Sequence, residues 1–312
     1  MTEASAPAPP HYAPPNRPQP DIIGRFAPSP TGPLHLGSLF AALASFLDAR
    51  SRQGQWRLRI DDLDAPRNQP GAAAGILGCL EKFGLQWDGE VYYQSRHLEA
   101  YAAAIEQLRQ RQAVYACDCS RKRLSAHPGV YPGICRQRQH PFTADRAIRV
   151  ITPDQTLAFN DACQGQIAEN LAQQHGDFII KRRDGFYAYQ LAVVIDDHAQ
   201  HITRVTRGVD LLDSTPKQIH LQGLLGLPTP QYRHIPVIIA ANGDKLSKQT
   251  LAPAVDPTQA AATLHRLLIL LRQNPPPELR QADVAEILAW AIAHWQPELL
   301  NGLRTIPDPT GK

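Results

Sequence analysis

The chain has 312 residues, 43% of them apolar and 20% charged, with a formal net charge of +3. That length holds two or three compact units with a sizeable core, and the composition is that of an ordinary globular protein. The mild positive charge admits an anionic partner without requiring one. The longest apolar run, Leu267 to Leu271, is far too short to cross a bilayer, so no membrane association is expected.

The first twenty residues hold seven prolines and almost no aliphatic side chains, and read as a disordered or extended tail rather than a secretory signal. Asp21 to Ala27 reads as a short buried strand. After Pro28, Pro30, Gly32 and Pro33, the residues Leu36, Leu39, Phe40, Leu43, Phe46 and Leu47 recur at the helical period. "QWRLRIDD" then alternates, with Trp56, Leu58 and Ile60 on one face and Arg57, Arg59 and Asp61 on the other, which predicts a strand. Strand, glycine-containing turn, helix and strand make a βαβ start and hence a parallel sheet.

Helices are expected around Gly75 to Phe83 and from about His97 to Gln112. From Tyr115 to about Gln174 the chain is rich in Cys, Arg, Gln and turn residues, which predicts an insertion. "DFIIKRRDGFYAYQLAVVIDD" reads as resumed strand, its apolar run Leu191 to Ile195 suited to a sheet interior. "TPKQIHLQGLLGL" predicts a helix and "YRHIPVIIA" a strand. Two apolar helices follow, Ala261 to Arg272 and Asp283 to Trp295, the second opening with an Asp283/Glu286 capping pair. The expected fold is α/β. A tail (1–20) precedes a Rossmann-like parallel sheet in two halves (21–112 and 177–240) around an insertion (113–176). A lysine-bearing loop and short helical region (241–312) end the chain.

Three stretches carry chemistry. "RFAPSPTGPLHLGS", Arg25 to Ser38, places a glycine-containing turn between strand and helix, where backbone N–H groups and the positive helix end suit a phosphate. Its spacing is neither G-x-G-x-x-G nor G-x-x-x-x-G-K-[ST]. "NGDKLSKQT", Asn242 to Thr250, holds Lys245 and Lys248; a K-x-x-K alone is usually a solvated turn. The third is "CDCS…GVYPGIC", with Cys117, Cys119, Tyr131 and Cys135. Two cysteines one residue apart do not easily pair, and five cysteines without an export signal fit a reducing cytoplasm better than a disulfide framework. Spacing alone leaves both a metal site and reduced, unliganded thiols open. Cys79 and Cys163 are assigned to packing.

Taken together, "RFAPSPTGPLHLG", "YYQSRHLEAY", "DGFYAYQLAVVIDDH", "ITRVTRGVDLLDSTPKQIHL", "YRHIPVI" and "KLSK" resemble the class I aminoacyl-tRNA synthetases of the glutamyl type, in that family's order. The resemblance runs from about Asp21 to Gln249. It implies a catalytic set of His35, Lys245 and Lys248. His35, Gly37, Ser38 and Lys248 would bind ATP, accompanied by magnesium. It assigns glutamate to Arg25, Phe26, Ala27, Pro28, Ser29, Asp61, Tyr189 and Arg207. Arginine forks match carboxylates, so Arg25 and Arg207 suit a two-carboxylate substrate, while Asp61 and Tyr189 suit its ammonium. Three departures stand out. Ser38 replaces a second histidine, Asp61 is one methylene shorter than the usual glutamate, and the lysine loop reads "KLSKQ".

The cysteine stretch resembles the zinc-binding insertion of shorter relatives, the glutamyl-Q tRNA(Asp) synthetases. There the resemblance implies one structural zinc on Cys117, Cys119, Tyr131 and Cys135, with His127 or His140 as substitutes for the tyrosine. Those relatives share a truncated outline after the lysine loop. They imply transfer of glutamate, through an adenylate, to queuosine at the wobble position of tRNA(Asp). A minimal glutamyl-tRNA synthetase charging the 3′ end, or a silent tRNA-binding paralogue, are the competing expectations. Arg121, Lys122, Arg123, Arg136, Arg138 and Lys181 to Arg183 are candidate tRNA-phosphate contacts. A cytoplasmic monomer is expected.

Overall fold

The computed structural model describes residues 22–125, 129–240 and 253–308. The proline-rich tail and the loop bearing Lys245 and Lys248 therefore lie outside the described residues. The chain runs β1 (Ile23–Phe26), α1 (Leu36–Arg50), β2 (Gln55–Ile60), α2 (Ala72–Lys82), β3 (Tyr92–Tyr93) and α3 (Leu98–Gln110). Next come β4 (Val114–Cys117), α4 (Arg121–Leu124), β5 (Ala147–Val150), β6 (Thr156–Asp161), β7 (Gly165–Asn170), α5 (Leu171–Gln174) and β8 (Ile179–Lys181). The remainder is α6 (Tyr189–Ala199), β9 (Arg204–Gly208), α7 (Thr215–Leu225), β10 (Gln231–Ile235), β11 (Val237–Ile239), α8 (Ala260–Leu270), α9 (Val284–Ala293) and β12 (Thr305–Pro307).

β1 pairs in parallel with β2, and β2 with β3; β9 pairs in parallel with β10. Thr203 N donates to Ile23 O at 2.9 Å, which sets β9 beside β1. The strands thus lie in the order 3-2-1-9-10, and direction of growth reverses at β1. In such sheets the crevice outside the carboxyl ends at the reversal is the ligand position. The entry to β2 is close-packed: a Cβ on Gly54 would lie 2.6 Å from Ile22 O.

α1 is the central element. His35 caps its N-terminus, and Leu39, Phe40, Leu43 and Leu47 are buried on it. Asp48 is buried there too, answered by Arg52 at 2.8 Å, Arg204 at 3.5 Å and the Thr206 hydroxyl at 3.1 Å. Leu264, Leu267 and Leu268 of α8 and Ile287 of α9 join the same core. Asp283 and Glu286 form the expected capping box. Leu43→Ala is expected to cost about 2–5 kcal/mol in urea unfolding, because the surrounding side chains cannot close the cavity it leaves.

Two expected strands are corrected. Leu191 to Ile195 lie in helix α6, not in a sheet interior; a five-residue apolar run is equally at home on a buried helix. "YRHIPVIIA" is two strands. Pro236 has no N–H to continue a ladder, so β10 pairs with β9 while β11 pairs in parallel with β12. The expected insertion is also more regular than its composition suggests. β4, β5 and β8 form an antiparallel sheet, and β6 and β7 a hairpin turned through Gly165 at φ 78°. Among the described residues no helix is long and apolar enough to cross a membrane.

Candidate active site and metal centre

A cavity of about 310 Å³ opens at the carboxyl ends of β1, β2 and β9. Arg25 to Ser29 leave β1 along one side, while His35, Gly37 and Ser38 enter from the first turn of α1. Asp61 follows β2, Tyr189 begins α6 and Arg207 stands on β9. Asp61 N donates to Pro28 O at 3.0 Å, which fastens the β1 and β2 exits together. Every described residue assigned to ATP or glutamate from the sequence lines this one cavity. Lys245 and Lys248 lie outside the described residues. The described chain on either side of their loop reaches the same place: Val237 lines the cavity, and Ala254 bridges His35.

His35 Nδ1 accepts the Ser38 backbone N–H at 3.2 Å, and its Nε2 lies 2.8 Å from Ser38 Oγ. Nδ1 is then the bare nitrogen, and Nε2–H donates to the hydroxyl. Ser38, where many class I enzymes carry a second histidine, fixes the ring of the first.

The two arginines differ. Arg25 is buried with Nε 3.2 Å and Nη2 3.4 Å from the Asp197 carboxylate, so its fork is already answered inside the protein. Arg59, fully buried, reaches Asp197 Oδ1 at 2.6 Å and Asp61 Oδ1 at 2.7 Å. Burial raises Asp197, but the two guanidiniums outweigh it and hold this carboxyl below the ordinary value. Asp61 goes the other way: burial pushes it up to about 6 against the pull of Arg59.

Arg207 is 5% exposed, yet among the described residues its partners are all uncharged. Nη1 donates to Tyr189 Oη at 3.2 Å, Nη2 to Thr215 Oγ1 at 2.7 Å and Gln218 Oε1 at 2.9 Å, and Nε to His234 Nε2 at 3.0 Å. Burial and the neighbouring Arg207 charge keep His234 below its ordinary value, hence neutral at pH 7. A buried cation without a counter-charge is costly, and an incoming carboxylate relieves that cost.

Cys117, Cys119 and Cys135 bring their sulfurs together, and no disulfide forms. The Cys119 and Cys135 sulfurs are 3.5 Å apart, and Tyr131 Oη lies 3.5 Å from Cys117 Sγ and 3.7 Å from Cys119 Sγ. Metal–sulfur bonds of about 2.3 Å and metal–oxygen bonds of about 2.0–2.2 Å give tetrahedral edges of roughly 3.5–3.8 Å, so the donor set fits a tetrahedral metal site. Arg149 lies over the Tyr131 ring, its Cζ 3.7 Å from the centroid, and donates to Cys117 Sγ at 3.4 Å. Burial raises the Cys117 thiol, but hydrogen bonds from Tyr131 and Arg149 bring it below its ordinary value. Asp118 and His140 make a second donor group that shares Cys135. His127 lies outside the described residues.

Several of the basic residues named for tRNA also have partners within the chain. Arg136 is bound to Asp177, with Nε 2.9 Å from Oδ2. Arg182 meets Asp184 at 2.5 Å, and Arg183 donates to Asp145 O at 3.0 Å. Sequence reading passed over Asp197, Arg59, Asp161 and His234. The doubled acid after "LAVVI" and the arginines of "RLRI" were visible signals for the first two, whereas Asp161 and His234 had none.

Residues 21–266 match the family model "tRNA synthetases class I (E and Q), catalytic domain". The glutamyl-Q tRNA(Asp) synthetase of Pseudomonas aeruginosa strain LESB58 is 51% identical over 286 residues, covering 92% of this chain and 97% of that protein. The Thiobacillus denitrificans protein of the same name is 53% identical over 282 residues, 88% of this chain and 94% of that one. The crystal structure of glutamate-tRNA synthetase from Elizabethkingia anophelis superposes with TM-score 0.78 at 24% identity, covering 93% of this chain and 68% of that chain. A glutamate tRNA ligase from Elizabethkingia meningosepticum, in complex with its amino acid, gives TM-score 0.77 at 24% identity, over 92% and 67%. The cavity at the strand reversal, the cysteine cluster and this breadth of identity place the chain in the glutamyl-Q tRNA(Asp) synthetase family of class I tRNA synthetases.

Proposed function

We propose that this protein activates glutamate with ATP and transfers the glutamyl group to the queuosine base at the wobble position of tRNA(Asp). The observation that carries the reading is the convergence, in one cavity, of a phosphate-type strand–helix turn, an acid and an arginine that has no carboxylate partner among the described residues. The relatives named above supply the acceptor.

In the first step the glutamate α-carboxylate attacks the α-phosphorus of ATP, and pyrophosphate leaves. The protein's work is positioning and charge stabilisation. His35 and the Gly37–Ser38 turn hold one side of the triphosphate, Lys245 and Lys248 the other, with magnesium accompanying the nucleotide. Arg207 takes a substrate carboxylate, Asp61 and Tyr189 the ammonium, and Arg25 to Ser29 shape the pocket wall. In the second step a cyclopentenediol hydroxyl of queuosine attacks the adenylate carbonyl and AMP leaves. One zinc ion on Cys117, Cys119, Tyr131 and Cys135 would brace the insertion and has no open position for chemistry. We read the protein as a cytoplasmic monomer whose chain divides into a two-part catalytic domain, the metal-bearing insertion and a short C-terminal helical region.

The test is glutamate-dependent ATP–pyrophosphate exchange. Exchange with glutamate is expected; none with glutamate or glutamine, with or without tRNA, would overturn the reading. A pH dependence follows from Asp61. Its carboxyl is neutral below about 6 and charged above it, and only the charged form attracts an ammonium. Glutamate affinity measured by calorimetry is therefore expected to fall up to about tenfold per pH unit below 6 and to level off above it. Asp61→Asn is expected to bind weakly with a flat profile; the same pH dependence in that variant would remove Asp61 from the account.

A further inference from the structure

Arg207 is held from behind by a residue with no place in the mechanism above. His234, on β10 and fully buried, accepts Arg207 Nε–H at Nε2. A ring nitrogen accepts only when it is bare, so the proton must sit on Nδ1. That choice is made by Asp161, at the end of β6, whose Oδ2 lies 2.6 Å from His234 Nδ1. The carboxylate is itself fixed. It is 2% exposed and accepts the backbone N–H groups of Cys163 at 2.9 Å, Gln164 at 2.8 Å and His234 at 3.1 Å.

The hairpin turn after Asp161 is clasped onto β10 as a whole. Ala162 N donates to Tyr232 O at 2.9 Å, Gln164 Nε2 to His234 O at 2.8 Å, and Arg233 Nη1 to Ala162 O at 3.1 Å. A segment of the insertion, far in sequence from β9, therefore ends one side chain behind the substrate-facing arginine.

We propose that Asp161 and His234 are positioning residues for the substrate-carboxylate site, Asp161 setting the His234 tautomer and His234 aiming Arg207 Nη1 at Tyr189 and the cavity. This rests on the reading that glutamate occupies that cavity. Asp161→Asn keeps the shape but turns an NH₂ toward Nδ1. The ring then favours the opposite tautomer, and its Nε2–H faces Arg207 Nε–H, donor against donor.

The experiment is pyrophosphate exchange by the full chain and its Asp161→Asn variant, with glutamate and ATP varied separately. The glutamate KM is expected to rise about 10–100-fold, the range for losing one hydrogen bond to a charged group, with the ATP KM within about threefold. Bound metal is expected to be unchanged. An unmoved glutamate KM, or an equal rise in both KM values, would overturn the proposal. Nitrogen-15 NMR of histidine-labelled protein, with His234→Gln identifying the signal among the 12 histidines, gives a second readout that does not depend on the Asn variant folding. Wild-type His234 is expected as the neutral Nδ1–H form at pH 7.5, and the Nε2–H form or an imidazolium would overturn the proposal equally. The two failures are separable. Absence of wild-type exchange overturns the functional reading, whereas normal exchange with an insensitive glutamate KM in Asp161→Asn overturns this inference alone.

Discussion

Arg207→Lys is expected to lower kcat/KM for glutamate in pyrophosphate exchange by about 10²–10³-fold, close to 3–4 kcal/mol. The guanidinium donates in three directions at once, to His234, to Thr215 and Gln218, and to Tyr189 beside the cavity. An ammonium on a flexible stem keeps the charge but cannot reproduce that fork. It would also leave Gln218 Oε1, on a buried side chain, short of a donor, and His234 Nε2 with the Thr215 hydroxyl alone at 3.0 Å. The loss should fall on glutamate, with the ATP KM nearly unchanged, because no phosphate is assigned to this side of the cavity. Steady-state exchange with each substrate varied in turn is the measurement, and wild-type glutamate kinetics in the variant would remove Arg207 from the carboxylate site.

Cys135→Ser is expected to abolish stoichiometric metal binding and to lower the thermal midpoint by on the order of 10 °C. Cys135 lies 3.5 Å from Cys119 Sγ, and its backbone N–H donates to Tyr131 Oη at 3.1 Å, so it joins two of the other three donors. These residues also form the small core of the insertion, with Tyr115 and Ala147. Metal affinity at such a site is folding free energy for the segment, and a loss of several kcal/mol in a chain of this size corresponds to a shift of that order. Emission spectrometry for metal and calorimetric melting check both parts. Protein purified with no zinc, whose midpoint does not move with a chelator, would dispose of the metal.

The sequence showed the frame of this molecule wherever a pattern was long. α1 carried six apolar residues at helical spacing, β2 alternated cleanly, and both sit where that spacing puts them. Short runs misled. Val193, Val194 and Ile195 are β-branched and look like strand, yet they lie on helix α6, which buries the two valines and uses the following acids, Asp196 and Asp197, to answer Tyr101, Arg25 and Arg59. The hairpin of β6 and β7 was missed because the alternation of β6, with Leu157 and Phe159 on its half-buried face, lasts only six residues and β7 opposite it is mostly polar with no regular alternation. The site was legible through its motifs, but the charges behind it were not. Nothing local in sequence says that Asp161 will meet His234, or that the fork of Arg25 will close on Asp197 rather than open to the cavity.

Transfer of labelled glutamate, with ATP, to tRNA(Asp) prepared with and without queuosine tests the acceptor directly. Label on the queuosine-containing tRNA alone is the predicted result. Equal labelling of both tRNAs would contradict the account and assign the glutamyl group to the 3′ end.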